Sequence, residues 1–136
     1  MQNNTMPRKK TSITLPFSEM DKAGPAWPML AAIARMASEY PYGVIPASEI
    51  SIGRFLAVYS TSDELLRRDG SALIRNGIIQ YVKMTIKKRG NGWSKTDAVE
   101  GWMITRWHLF SSDSRNMSKN ELEVLQRPLF PDVISS

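Results

Sequence analysis

The sequence contains no cysteine, and its single histidine is His108. Without cysteine the chain has no disulfide framework, no thiolate nucleophile and no cysteine-based zinc site, and one histidine leaves little for metal binding or acid–base chemistry. No stretch approaches the ~20 apolar residues of a membrane helix, and no apolar segment follows the basic residues near the N-terminus. We therefore expect a cytoplasmic protein that does not enter the membrane and holds neither a metal nor a cofactor.

The acidic residues form no catalytic pattern either. Asp63, Glu64 and Asp69 lie near a predicted helix start, where carboxylates stabilise the helix dipole. No nucleophile, base and orienting partner stand together in the sequence. The Gly-Asn-Gly stretch at residues 90–92 is not followed by the Gly-Lys-Ser/Thr of a phosphate-binding loop. We therefore expect no catalytic residues and a function other than that of an enzyme.

Positive charge is concentrated in the middle of the chain. The formal net charge is +5, and residues 54–106 hold ten lysines and arginines against five acidic residues. Residues 1–53 hold five basic and four acidic residues, and residues 107–136 hold three and four. A polyanion would therefore be attracted to the middle of the chain.

Residues 27–40 predict a first helix. Pro28 suits the first helical position, and Met29, Ile33 and Met36 recur at helical spacing. The next apolar step, residues 44–45, is too short for more than a small strand. Ser48 could then cap a second helix, with an inward stripe of Ile50, Ile52, Phe55 and Leu56.

A third helix has the clearest boundaries. Thr61 and Glu64 form a Ser/Thr-x-x-Glu capping box at its start, and an Asn-Gly pair at residues 76–77 marks its end. Its predicted apolar face consists of Leu65, Leu66, Ala72 and Leu73. Its predicted polar face consists of Glu64, Arg68, Ser71 and Arg75, with Arg67 on the flank.

Residues 78–110 predict two strands joined by a basic loop. Val82, Met84 and Ile86 alternate with polar residues, so the apolar set should face the helices. The second strand would run to residue 110, and both of its faces are too apolar to identify the inner one. Residues 87–89 are Lys-Lys-Arg, and the polar stretch that follows to residue 100 is longer than a tight turn needs, which predicts a projecting loop.

The chain divides into three predicted parts. Residues 1–25 are polar with several prolines and glycines, which predicts a flexible arm, although residues 13–17 could dock on the domain. Residues 26–110 predict one α+β domain. Residues 111–136 predict a linker, a short C-terminal helix at 118–126 and a loose tail, in which Leu129 and Phe130 could anchor against the core or a second chain.

The predicted order of helix, short strand, two helices and hairpin is that of a winged helix-turn-helix domain with three helices and a two- or three-stranded antiparallel sheet. In that fold the third helix, called the recognition helix, reads base edges, and the hairpin, called the wing, contacts the backbone of double-stranded DNA. The predicted contacts of the recognition helix are Ser62, Glu64, Arg67, Arg68, Ser71 and Arg75. The predicted contacts of the wing are Lys83, Lys87, Lys88, Arg89, Asn91, Trp93 and Lys95.

Three short motifs stand in this region: the opening Pro-Met-Leu at residues 28–30, the segment "EISI" before a helix, and "VKM" in a strand ahead of a basic, glycine-containing wing. Their order and spacing resemble those of the CaiF/GrlA family of bacterial transcriptional activators. The resemblance covers roughly residues 27–110. The longer connection "FLAVYSTSDE", and the lack of the cysteines that some members carry in the wing, depart from the family pattern.

The resemblance implies a sequence-specific winged-helix activator of an accessory operon, such as genes for metabolism, secretion or plasmid transfer. It places the recognition helix at about residues 61–76 and the wing at about residues 87–99. The implied partners are double-stranded DNA at promoters and, as a further candidate, RNA polymerase, and relatives allow a monomer or a homodimer.

Two other functions stay open at this point. The domain could bind a protein, as an anti-activator or phage-type inhibitor, and the apolar residues 125–133 support that hypothesis. The four tryptophans and Tyr81 would permit stacking on RNA, although no recognised single-strand motif is present. The basic features also have structural explanations, since lysines at a strand edge discourage aggregation and arginines on helices are commonly solvated.

Overall fold

The computed structural model describes residues 12–90, 92–111 and 121–131, which build helices packed on a three-stranded antiparallel sheet. The buried apolar side chains of helices and sheet belong to one core cluster. The predicted α+β class and antiparallel sheet are therefore confirmed. Asn91, one of the predicted wing contacts, lies outside the described residues.

The N-terminal segment differs from the predicted flexible arm. Helix α1 spans Phe17–Ala23, and its buried side chains are those of Glu19 and Ala23. Ahead of it, the Thr14 amide donates a hydrogen bond of 2.8 Å to the Phe110 carbonyl. The prediction of an arm does not hold for residues 12–25, because a seven-residue helix with two buried side chains leaves no periodic apolar signal in the sequence.

Helix α2 spans Trp27–Ala37 and confirms the first predicted helix. Pro28 lies in its first turn, where a missing amide hydrogen leaves no intrahelical bond unmade. Met29 and Ile33, four residues apart, are both buried.

Helix α3 spans Ile52–Val58 and begins later than predicted. Ser51 caps it instead of Ser48, and its hydroxyl accepts a hydrogen bond of 3.2 Å from the Arg54 amide. Ser48 belongs to a separate 3-10 turn, because Ile50 takes extended backbone angles and interrupts the helix.

Helix α4 spans Asp63–Arg75 and confirms the third predicted helix. Its cap is Ser62 rather than Thr61, since the Ser62 hydroxyl accepts a hydrogen bond of 3.2 Å from the Leu65 amide. The predicted capping box is therefore wrong by one residue.

The buried face of α4 is rotated relative to the prediction. Leu65 is exposed and Ala72 is half-buried. The C-terminal segment covers part of the buried face, since Leu129 packs on Gly70, its Cδ2 atom only 2.9 Å from where a Cβ would stand. The buried residues of α4 are Leu66, Asp69, Gly70 and Leu73.

Strands β1, Ile79–Gly90, and β2, Trp93–Ile104, pair antiparallel along their whole length. The register pairs Gly90 with Trp93, so two residues connect the strands. The projecting loop predicted at residues 87–99 is therefore wrong. Polar residues 94–97 continue a strand without apolar alternation, and periodicity cannot detect such a strand.

The apolar alternation of β1 is confirmed, since Val82, Met84 and Ile86 are buried. Strand β2 ends at Ile104, and one helical turn, α5, follows at Trp107–Phe110. The strand predicted to continue to residue 110 is therefore wrong, and His108 lies exposed on that turn. The helical turn brings the rings of Trp107 and Phe110 to the same side, where they stack at 6.0 Å.

Strand β3, Glu121–Leu125, takes the place of the predicted C-terminal helix. It pairs antiparallel with β1 and makes the sheet order β2-β1-β3. Residues 118–120 of the predicted helix lie outside the described residues. Beyond β3, Leu129 and Phe130 are buried, and the Phe130 ring meets the Phe55 ring edge-on at 5.7 Å. The predicted anchoring of these two residues on the core is confirmed.

A one-residue bridge attaches the helices to the edge of the sheet. Ile45 and Trp102 exchange two backbone hydrogen bonds of 2.8 Å each, which confirms the small strand predicted at residues 44–45. The neighbouring Gly101 allows this approach, because a Cβ on it would stand 2.0 Å from the Ile45 carbonyl oxygen. No side chain fits at that position without displacing backbone.

We expect Gly101→Ala to lower the free energy of unfolding by about 2–3 kcal/mol, because overpacking against backbone cannot be relieved by a rotamer change. Gly53→Ala is the matched control. Nothing lies within 4 Å of a Cβ at Gly53, which stands inside α3, so this variant should gain up to about 1 kcal/mol of helix propensity. Urea unfolding of both variants measures the difference, and equal stabilities would contradict the close approach at Gly101.

Candidate nucleic-acid interface

Helix α4 presents a polar face to solvent while its other side packs on the core. Glu64, Arg68, Ser71 and Arg75 are exposed, as their spacing predicts. Within the part of the chain that the structure describes, Arg75 forms no ion pair. The buried residues on the opposite side of the helix pack against the core, so these exposed side chains project from a fixed element.

Ser62, a predicted contact, lies at the start of this face and serves as the helix cap. Its hydroxyl oxygen accepts a hydrogen bond from the Leu65 amide, so the side chain stabilises the start of the helix. The hydroxyl hydrogen can still be donated to a partner.

Arg67 is turned away from the exposed face, toward the C-terminal segment. Its Nε donates to the Asp63 carboxylate at 2.7 Å, and its Nη1 reaches the Phe130 carbonyl at 3.4 Å. A shallow cleft between α4 and the C-terminal segment is bounded by Arg67, Ser71 and Pro128. The structure therefore separates Arg67 from the other predicted contacts on α4.

Arg68 remains on the exposed face but is tied to a buried neighbour. Its Nε and Nη2 atoms donate to the Asp69 Oδ1 atom at 3.0 and 2.9 Å. The Arg68 side chain is 59% exposed and that of Asp69 is 10% exposed. Asp69 was predicted to stabilise the helix dipole near the start of the helix, whereas it lies in the middle of α4 and faces the core.

Residues 86–97, the two-stranded part of the sheet that β3 does not cover, form what we call the β-ribbon. Lys87, Lys95 and Trp93 are exposed on it, with Trp93 55% exposed beside the turn. Lys88 and Arg89, whose backbone the structure describes, lie opposite Lys95 and Ser94. Five of the predicted wing contacts thus lie along a ribbon and not around a loop: Lys87, Lys88, Arg89, Trp93 and Lys95.

Strand β3 places acidic residues beside the basic ones of β1. Glu121 forms a 3.1 Å ion pair with Lys87. Lys83 lies between Glu100 on β2 and Glu123 on β3 in the register. This neighbourhood was missed because β3 was predicted as a helix, although the alternation Glu-Leu-Glu-Val at residues 121–124 has the period of a strand.

An aromatic cluster closes the base of the ribbon. The Tyr81 ring meets the Trp102 ring at 5.2 Å, and its hydroxyl donates to the Glu100 carboxylate at 2.5 Å. The Arg127 guanidinium lies 4.5 Å from the centre of the Tyr81 ring. Burial first, and then the hydrogen bond to Glu100 and its negative charge, raise the pKa of Tyr81.

A groove of about 350 Å³ between α2 and α3 was not predicted from the sequence. Trp27 and Val58, both exposed, contribute apolar surface to it, with Tyr59 and Met36 deeper. Arg54 at its edge is ion-paired with Glu49. Exposed apolar residues on two short helices carry no periodic signal of their own, so only the fold reveals this groove.

Within the described ranges, no three His, Asp or Glu side chains are grouped so that they could hold a metal ion. No helix among those residues is long and apolar enough to cross a membrane.

Comparison of the chain with protein-family models, with curated proteins and with solved structures finds no match. The resemblance to CaiF/GrlA activators therefore stays a prediction. The geometry of α4 and the β-ribbon is the remaining indication of function.

The raised pKa of Tyr81 makes stability depend on alkaline pH. The neutral phenol is favoured in the folded state, so its contribution is fully present below the ordinary pKa of about 10 and is lost as the pH rises through the folded value. We expect the free energy of unfolding to fall above pH ~10, and to fall less steeply in Tyr81→Phe. Urea unfolding between pH ~8 and ~11 tests this. Identical pH profiles for the two proteins would contradict the assignment.

Proposed function

We propose that this protein is a sequence-specific binder of double-stranded DNA with a winged helix-turn-helix architecture. The observation that carries the proposal is the direct passage from α4, with its exposed arginine face, into the basic β-ribbon. Three residues separate Arg75 at the end of α4 from Ile79 at the start of β1. Two basic surfaces of different shape therefore belong to one folded unit.

The order of elements supports the winged architecture. Helix α2, the bridging residue Ile45, helices α3 and α4, and then strands β1 and β2 follow the chain order expected of such a domain. Ile45 pairs with β2, so it takes the position of the short strand. In this arrangement α4 is the recognition helix and the β-ribbon is the wing.

The two surfaces would divide the work of recognition. Arg68 and Arg75 stand on a rigid helix, and an arginine that pairs with guanine through two hydrogen bonds discriminates by ~1–3 kcal/mol. Lys87 and Lys95 on the ribbon would release counterions from phosphates, which adds affinity without reading sequence. Regulation of transcription at promoters, as an activator of an accessory operon, is the finer form of the proposal and rests on the CaiF/GrlA resemblance.

A protein-binding function is a second candidate, and the groove between α2 and α3 favours it. The apolar residues that first suggested it are largely used within the chain itself, since Leu129 and Phe130 are buried in its core. The groove, in contrast, exposes Trp27 and Val58. Tryptophan is enriched among the residues that dominate protein interfaces.

The proposal predicts that the protein prefers one DNA sequence and that the arginines of α4 carry this preference. A library of randomised duplexes, bound at ~150 mM salt where weak phosphate contacts are suppressed, yields the preferred sequence. Against a scrambled duplex, Arg68→Ala and Arg75→Ala should each reduce the preference by about tenfold, whereas Lys95→Ala should weaken both duplexes about equally. Arg106→Ala, an exposed arginine outside both surfaces, is the matched control.

Uniform effects of all these substitutions would leave only a non-specific polyanion binder. Absence of duplex binding even at low salt would contradict the DNA-binding proposal and favour the groove between α2 and α3 as the functional surface.

The proposal also predicts that Glu121, the acidic neighbour of the wing, weakens DNA binding. Glu121→Gln should raise the affinity for any duplex, because Lys87 is freed from its ion pair. The plot of log affinity against log salt should become steeper by about one, the value expected for one added phosphate contact. Asp21→Asn removes the same charge from an exposed site on α1 and should leave the slope unchanged. An unchanged slope in Glu121→Gln would mean that Lys87 does not contact phosphate.

A further inference from the structure

Asp69 is a buried carboxylate inside the helix that carries the proposed base contacts. It is 7% exposed and lies on the core side of α4. Burial removes hydration from the Asp69 carboxylate, a loss that an apolar residue at this position would not suffer. The presence of Asp69 at this position therefore calls for an explanation other than stability.

The hydrogen bonds that the Asp69 side chain accepts from described residues come from Arg68. Both the Nε and the Nη2 atoms of Arg68 donate to the same carboxylate oxygen, Oδ1. The neighbouring Tyr59 hydroxyl, though buried, makes no hydrogen bond with any described residue. Among the described residues, Arg68 is therefore the one hydrogen-bond donor to the Asp69 side chain.

This contact fixes the orientation of the Arg68 guanidinium. A guanidinium is planar, so two bonds from its Nε side set the direction of the whole group. The Nη1 side then points away from Asp69, and among the residues that the structure describes it meets no acceptor. Most of the Arg68 side chain is solvent-exposed, so this free side is accessible to a partner.

Arg67 provides an internal comparison on the same helix. It also pairs with an aspartate, but its partner Asp63 is 59% exposed, whereas the Asp69 side chain is 10% exposed. Water competes for the exposed Asp63 carboxylate, whereas a buried acceptor such as Asp69 loses more when its donor departs. Arg67 is also bound to the Phe130 carbonyl, which directs it toward the C-terminal segment, so Arg68 is the arginine that is oriented on the exposed face of α4.

We propose that Asp69 is a positioning residue that holds the Arg68 guanidinium in the orientation that reads a base edge. This inference rests on the proposed DNA-binding function and deepens it, because it assigns sequence preference to a residue that itself touches no DNA. Ordering an arginine before binding removes part of the entropy cost of a two-bond contact with guanine. The partner class is a duplex with a guanine in the major groove opposite Arg68.

The test is a double-mutant cycle on sequence preference, measured with the selected duplex and its scrambled version. Asp69→Asn keeps the shape and one acceptor but removes the charge, and Asp69→Leu removes both. We expect the preference to fall about threefold in Asp69→Asn and about tenfold in Asp69→Leu, with binding to the scrambled duplex unchanged. Asp69→Leu added to Arg68→Ala should cause no further loss, since the two residues act as one unit.

Asp63→Asn is the matched control, because it removes the same charge from the exposed partner of Arg67, and its preference should stay within about twofold of the parent protein. A readout without DNA accompanies the cycle. In the ¹⁵N NMR spectrum of the free protein, the Arg68 Nε–H signal should be protected from exchange and should lose that protection in Asp69→Leu. A fold-wide effect would instead change the backbone amide spectrum throughout.

The outcomes separate the two proposals. A protein that binds no duplex would overturn both. Sequence preference that survives in Asp69→Leu, or that falls further in the double variant than in Arg68→Ala, would overturn the positioning of Arg68 by Asp69 and leave the DNA-binding function standing.

Discussion

Two backbone hydrogen bonds between Ile45 and Trp102 determine how the helices meet the sheet. Trp102 also lies opposite Tyr81 in the register of β1 and β2. The connection between α2 and α3 is therefore attached to the strand that continues into the ribbon. Gly101 is required for this attachment, because the Ile45 carbonyl occupies the space of a side chain. This close approach and the three-residue connection from α4 to β1 together place α4 relative to the ribbon.

The C-terminal segment also links the helices to the sheet, through contacts with β1 and with α4. Strand β3 covers one edge of β1, and Leu129 then packs on Gly70 of α4. The Phe130 ring meets Phe55 of α3, so one short segment contacts the sheet and two helices. This packing also brings Glu121 beside Lys87 of the β-ribbon and Glu123 opposite Lys83 of β1. The segment thus couples the stability of the domain to the electrostatics of its basic surface.

Helices with a continuous apolar stripe could be predicted from the sequence, and α2 and α4 are both confirmed. The extent of the ribbon could not, because residues 94–97 are all polar and show no apolar alternation. Strand β3 could be recognised from the alternation Glu-Leu-Glu-Val, but a longer helix was predicted over the same residues. The contact between Arg68 and Asp69 could not be predicted, because the apolar pattern of the helix does not show that Asp69 lies on its buried side.

Because only two residues connect Gly90 and Trp93, the length of the ribbon is set by its paired strands and not by a loop. A loop can lengthen by any number of residues, whereas a paired ribbon that keeps each side chain on its own face can grow only by two residues in each strand. At ~3.4 Å per residue, that change moves the tip by about 7 Å. In the proposed complex with DNA, this distance corresponds to about two base pairs. The pleat of the sheet therefore sets the steps by which the reach of the β-ribbon can change.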